Sequence, residues 1–96
     1  MENRRILHLT LKKKWFDLIA SGKKTVEYRE FKPHWEKRLL GKTFDEVHFR
    51  NGYRKDSPFM RVSLLYIHEP MNGEEFTEGR YFAIYLGSVL EINEGE

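Results

Sequence analysis

The sequence predicts an α+β fold, mostly β, in which a curled sheet or barrel of about five strands carries two short helices on its flank. Three observations lead there. Apolar residues alternate in several short runs, as in half-buried strands, and the period becomes helical in only two places. Turn residues separate the runs at short intervals. The 96 residues are 40% hydrophobic and 15% aromatic, enough for one packed core, so 1–96 is expected to form a single domain.

The elements follow in order. Ile6 to Leu11 alternates, with Leu7, Leu9 and Leu11 on one face and Ile6, His8 and Thr10 on the other, which suits a strand. From Lys13 to Ser21 the spacing is helical, with Trp15, Leu18 and Ile19 falling on one face and Phe16 and Ala20 beside it. Gly22 is a natural left-handed stop for that helix. Thr25 to Arg29 has strand character, and Pro33 opens a second helix that can run through Trp35, Leu39 and Leu40 to Gly41. Residues 45–50 form a third strand, closed by the Asn51-Gly52 turn. Tyr53 to Pro58 is polar. Phe59 to Ile67 and Tyr81 to Leu90 are the last two strands, joined by a polar connection over 71–79, and Glu91 to Glu96 is expected to be a frayed acidic tail.

Composition removes several function classes. With no cysteine there is no disulfide framework, thiolate nucleophile or thiolate metal site. His8, His34, His48 and His68 are scattered without ligand spacing, so no metal is expected. There is no glycine-rich phosphate loop and no sign of a cofactor. No apolar run approaches the length of a membrane span, and no signal peptide opens the chain, so a soluble cytoplasmic domain is expected. The net charge of +2 is unevenly spread. Residues 1–61 carry 16 Lys/Arg against 8 Asp/Glu, and residues 62–96 carry one Lys/Arg against seven Glu. A polyanion would be drawn to one side of such a molecule.

The most informative segment is Gly22-Lys-Lys-Thr-Val-Glu-Tyr-Arg29, where the first helix hands over to a strand. Strand alternation puts Thr25, Glu27 and Arg29 on one face and Lys24, Val26 and Tyr28 on the other. Glu27 and Arg29 are expected to pair, and a bend at the junction can turn the Lys24 amine toward them. Spacing alone is satisfied by an ion-pair cluster that clamps helix to strand.

The segment from Leu9 to Glu30 resembles the ASCH domain, a branch of the PUA-like superfamily. Gly22, Lys24, Glu27 and Arg29 fill the family's Gly-x-Lys-x-x-Glu-x-Arg motif. The order of strand, helix, motif and all-β remainder is also similar. The resemblance implies a PUA-like β-barrel and a binding cleft for RNA, a nucleotide or a nucleoside. It also implies an alternative, since some small members resemble amidohydrolases acting on an N-acylated cytidine-type nucleoside. In those the motif lysine, here Lys24, works with a hydroxyl residue and a distal glutamate. This sequence places Glu27 at the hydroxyl position, which gives Glu27 an acid/base role in that alternative. The distal carboxylate could be Glu69, Glu74, Glu75 or Glu78.

A second group lies around the Asn51-Gly52 turn. Arg50, Asn51, Tyr53, Arg54 and Lys55 combine donors, an aromatic ring and positive charge, a mixture suited to backbone phosphates and a stacked unpaired base. Trp35, with His34 and Lys37 nearby, could line the other side of a groove, although a lone tryptophan is more often core. Arg50 could instead pair with Glu27 or Glu46. A protein-interaction domain is the remaining alternative, and it leaves the charged motif unexplained.

Overall fold

The computed structural model describes residues 4–69 and 80–94. Alternation at the N-terminal end forms β1 (Ile6–Thr10), which buries Leu7 and Leu9 with Leu11 just beyond. Helix α1 (Lys13–Ala20) follows, then β2 (Val26–Glu30) and helix α2 (Pro33–Leu39), which starts at its proline. The remaining strands are β3 (Glu46–Arg50), β4 (Phe59–His68) and β5 (Tyr81–Asn93).

The strands form one sheet in the order β1-β3-β4-β5-β2, curled into a half-barrel, in agreement with the expected mostly β fold. β1 runs parallel to β3 because the intervening chain crosses over through α1, β2 and α2; the other pairs are antiparallel. Register shifts between Arg61 and Tyr66 bend β4 against β5, and such bulges increase local twist. At one of them Gly87 packs against the Ser63 hydroxyl, which accepts the Ser88 N–H at 2.8 Å. β1 and β2 are the sheet edges and border the open mouth of the half-barrel.

The core fills the concave face. Leu7 and Leu9 pair with Val47 and Phe49, which pair in turn with Val62 and Met60. Phe82, Ile84 and Leu86 continue it on β5, and Phe16, Ile19 and Leu39 cover it from the helices.

Of the apolar residues grouped on α1, Phe16 and Ile19 take the buried positions and Trp15 is left 39% exposed. One expectation changes. The predicted acidic tail is strand as far as Asn93, since Arg61 pairs in register with Glu91 and donates to its carboxylate at 2.9 Å. The predicted connection over 71–79 lies outside the described residues.

Candidate functional site

The site begins with how α1 ends. Gly22 adopts φ +82°, a conformation open to glycine and strained for a β-carbon-bearing residue. The Lys23 N–H then reaches back to the Leu18 carbonyl at 3.0 Å and the Gly22 N–H to Ile19 at 3.0 Å, the Schellman arrangement. The Lys24 N–H shares the Leu18 carbonyl at 3.1 Å. Lys24 is thus fixed before β2 starts at Val26, so strand alternation does not govern its side chain.

Within β2, Glu27 sits opposite Ile84 and Arg29 opposite Phe82. Directly opposed residues share a face, so both charged side chains point into the core side of the half-barrel. Glu27 is only 6% exposed. A carboxylate placed there demands cations, and it has two: Arg29 Nη1 donates to Oε2, and Lys24 Nζ lies 3.4 Å from Oε1. The expected Glu27–Arg29 pair is present, and Lys24 joins it. Arg29 also donates from Nη1 to its neighbour's carbonyl at Tyr28, 2.9 Å, and from Nη2 to the Thr10 carbonyl on β1, 3.3 Å. One guanidinium therefore bridges the two edge strands across the mouth.

Each cation fronts its own cleft. On the Lys24 side, Trp15, Lys24, Glu27 and Tyr28 line a hollow of about 260 Å³, with the ammonium 5.3 Å from the Trp15 ring centre and 5.4 Å from that of Tyr28. On the Arg29 side, a cleft of about 370 Å³ includes Arg29, Trp35, His34, Arg38, His8 and Tyr53. Trp35 is half-buried, packed against the core and also part of this cleft.

The second predicted group is only partly drawn in. Tyr53, 92% exposed, stands in the Arg29 cleft. Arg54 and Lys55 are exposed, and Arg54 lies 3.5 Å from Asp56. The Asn51 N–H closes the loop on the Pro58 carbonyl at 3.0 Å. Arg50 stacks on Phe59, 4.8 Å from its ring centre, and pairs with neither Glu27 nor Glu46. Lys37 lines a different hollow with Lys42 and Phe44. Of the glutamates considered as a distal partner, Glu69 accepts the Gly41 N–H at 2.6 Å; Glu74, Glu75 and Glu78 lie outside the described residues.

Three residues not anticipated at the site are Trp15, Arg38 and His8. Trp15 could have been found from the Phe16, Ile19 and Ala20 spacing, which leaves it to one side of the buried stripe. Arg38 donates from Nη2 to the His8 carbonyl at 2.9 Å, a long-range contact with no local signal. The His8 pKa is lowered by partial desolvation, and the neighbouring His48, Arg38 and Arg50 lower it further. A second ionic cluster was also not foreseen: buried Glu46 receives Arg4, His48 and Arg61. Among the described residues no group of three or more metal-ligating side chains comes together, and no helix is long and apolar enough to cross a membrane.

A curled mixed sheet, with a carboxylate held between lysine and arginine at its mouth, defines a small half-barrel domain with an ionic site. Residues 9–44, from β1 past α2, match the family model of the ASCH domain. The matched stretch contains the whole Gly22–Arg29 motif. No curated protein matches the chain.

Proposed function

We propose that the domain binds single-stranded RNA or a nucleotide-like ligand at the mouth of the half-barrel, with Lys24, Glu27 and Arg29 at the base of the site. The observation that carries this is the placement of Glu27 on the core face between two cations, each fronting a cleft with aromatic walls. Lys24 and Arg29 meet polar or anionic edges of the ligand. Glu27 orients both and can accept a base amine. Trp15 and Tyr28 on one side, and Tyr53 on the other, offer faces for stacking. The ASCH match is consistent with an RNA-binding role.

Titration of a labelled single-stranded oligoribonucleotide at stepped salt tests this. Binding is expected to weaken with salt, and to weaken several-fold more in Lys24→Met and in Tyr53→Ala. Wild-type affinity in both variants would sink the proposal.

The 3.4 Å Lys24–Glu27 pair opening onto a cleft also gives the amidohydrolase alternative its one foothold. Against it, Thr25 is exposed and Glu69 is committed to the Gly41 N–H. Incubation with N-acylated cytidine, followed by absorbance, is expected to show no turnover. Turnover abolished by Lys24→Ala would replace the binding-only view.

A further inference from the structure

We propose that the Arg29 cleft is a phosphate subsite, so that the ligand is held as a nucleotide, with its phosphate between Arg29 and Arg38 and its base on the Trp15–Tyr28 side. This rests on the nucleotide-binding function proposed above and adds to it the part of the ligand that each cleft takes.

The two guanidiniums are built in. Their central carbons lie 5.2 and 5.1 Å from the centre of the same Trp35 ring. Each is tied by one nitrogen to a carbonyl of β1: Arg29 to Thr10 at 3.3 Å and Arg38 to His8 at 2.9 Å. Carbonyls two residues apart on a strand are separated by roughly 7 Å, so the anchoring sets a fixed spacing between the two cations. Arginine has five N–H donors. Among the described residues Arg38 spends one on His8 and Arg29 spends three, on Glu27, Tyr28 and Thr10. The donors left over belong to forks that are already oriented, which is what bidentate recognition of a phosphate requires.

The rest of the lining agrees. It contributes two imidazoles, those of His8 and His34, and the Tyr53 phenol, but no carboxylate. His34 meets Trp35 edge to face at 4.7 Å. The cleft of about 370 Å³ has room for a phosphate and the adjoining sugar edge. The His8 pKa is lowered first by desolvation and then by the positive charge of His48, Arg38 and Arg50. A bound anion acts in the opposite direction. On the Lys24 side the walls are aromatic and the carboxylate of Glu27 is at hand, a setting for a base with an amino group. Glu27 joins the two halves, since Oε1 meets Lys24 and Oε2 meets Arg29.

The test compares the four ribonucleosides, their 5′-monophosphates, the matching dinucleoside monophosphates and inorganic phosphate, by calorimetry and by NMR of the histidine ring protons. At least one monophosphate is expected to bind tenfold or more tightly than its nucleoside, and to raise the His8 pKa. Arg38→Gln is expected to bring the monophosphate down to the nucleoside level. A dinucleoside monophosphate with the same gain identifies an internal phosphodiester as the source, and a gain confined to the 5′-monophosphate identifies a terminal phosphate. Equal affinity of nucleoside and monophosphate, or a gain that survives in Arg38→Gln, would overturn the phosphate subsite while leaving nucleoside binding intact. Failure of every nucleoside and nucleotide to bind would overturn the proposed function as well. If Arg38→Gln does not fold, the His8 titration in the wild-type protein decides alone: an unmoved His8 pKa at saturating monophosphate refutes the subsite.

Discussion

Glu27 and Glu46 are the two buried carboxylates among the described residues, 6% and 5% exposed, and they lie on opposite faces of the sheet. Glu27 shares the concave face with Ile84 and the core, whereas Glu46 shares the convex face with Ile6 and Ser63. Glu46 is roofed by charge in balance. Arg4 Nη1 reaches it at 2.7 Å, Arg61 Nε and Nη2 at 3.0 and 3.3 Å, and Arg61 continues to Glu91 at 2.9 Å, so two arginines answer two glutamates. His48 adds a contact at 3.0 Å. Glu27 has two cations to itself, and Arg38, against the same Trp35 ring as Arg29, adds a third nearby. One cluster is a closed staple between strands. The other leaves positive charge facing two clefts. Burial of a carboxylate does not distinguish a structural site from a binding site; the charge left over and the space beside it do.

Removing one cation from each carboxylate is the strongest way to break this comparison. Arg29→Ala leaves Glu27 on the core face with Lys24 alone and opens the bridge from β2 to Thr10. Breaking a buried pair by deleting one partner typically costs about 3 kcal/mol or more. Urea unfolding should show a loss of that order for Arg29→Ala. Arg61→Ala should lose less, because Glu46 keeps Arg4 and His48. The reverse ranking would mean that Arg29 holds the sheet less firmly than the convex-face network does.

Trp15→Ala sharpens the comparison from the binding side. Trp15 is exposed beside Lys24 and absent from the buried core. Stacking on an aromatic side chain contributes about 1–3 kcal/mol per base. Oligoribonucleotide affinity should therefore fall about tenfold or more, while the urea midpoint stays near wild type. A variant that loses stability instead would make Trp15 a packing residue of α1.

The staple has its own test in pH. Hydrogen bonds from Arg61 and then His48, together with the charges of Arg61 and Arg4, hold the Glu46 pKa at about 2, below the ordinary 4.5. A lowered folded-state pKa means that the unfolded chain binds the proton more readily. The stabilising contribution is complete above pH 4.5 and is lost as pH falls through about 2. Melting temperature should therefore drop across that window in the wild type and drop less steeply in Glu46→Gln. Equal slopes would show that acid sensitivity comes from other carboxylates.

How much of this was legible in the sequence depends on the range of the interaction. Strand and helix positions follow from periods of two and 3.6, and Gly22 marked the helix end because only the local chain is involved. The Glu27–Arg29 pairing followed from alternation. Their placement on the core face did not, because it is decided by register with Ile84 and Phe82, more than fifty residues away in the chain. Trp15 lies to one side of the stripe set by Phe16, Ile19 and Ala20, so its exposure was legible from the α1 spacing. Arg38, anchored to a carbonyl 30 residues distant, and Glu46, joined to Arg4 across 42, had no local pattern to reveal them. Glu91 looked like tail because nothing near it in sequence shows its pairing with Arg61.

The smallest effect is expected at the loop after β3, where the charged group read from sequence dissolves into separate fates. Arg54 and Lys55 are exposed, outside both clefts, and Arg54 already has Asp56 within 3.5 Å. If they touch the ligand at all, they do so as screened charges on a phosphate backbone. Neutralising one such contact lowers the salt slope of single-strand binding by about 0.7. Arg54→Ala and Lys55→Ala should each show that change with an unchanged unfolding midpoint, since surface substitutions of this kind stay within about 0.5 kcal/mol. The same substitutions should leave binding of a mononucleotide untouched, because its one phosphate is spent between Arg29 and Arg38. A loss of mononucleotide affinity in Lys55→Ala would move the phosphate out of that cleft and onto the loop, and the contrast between an open Glu27 and a closed Glu46 would then rest on stability alone.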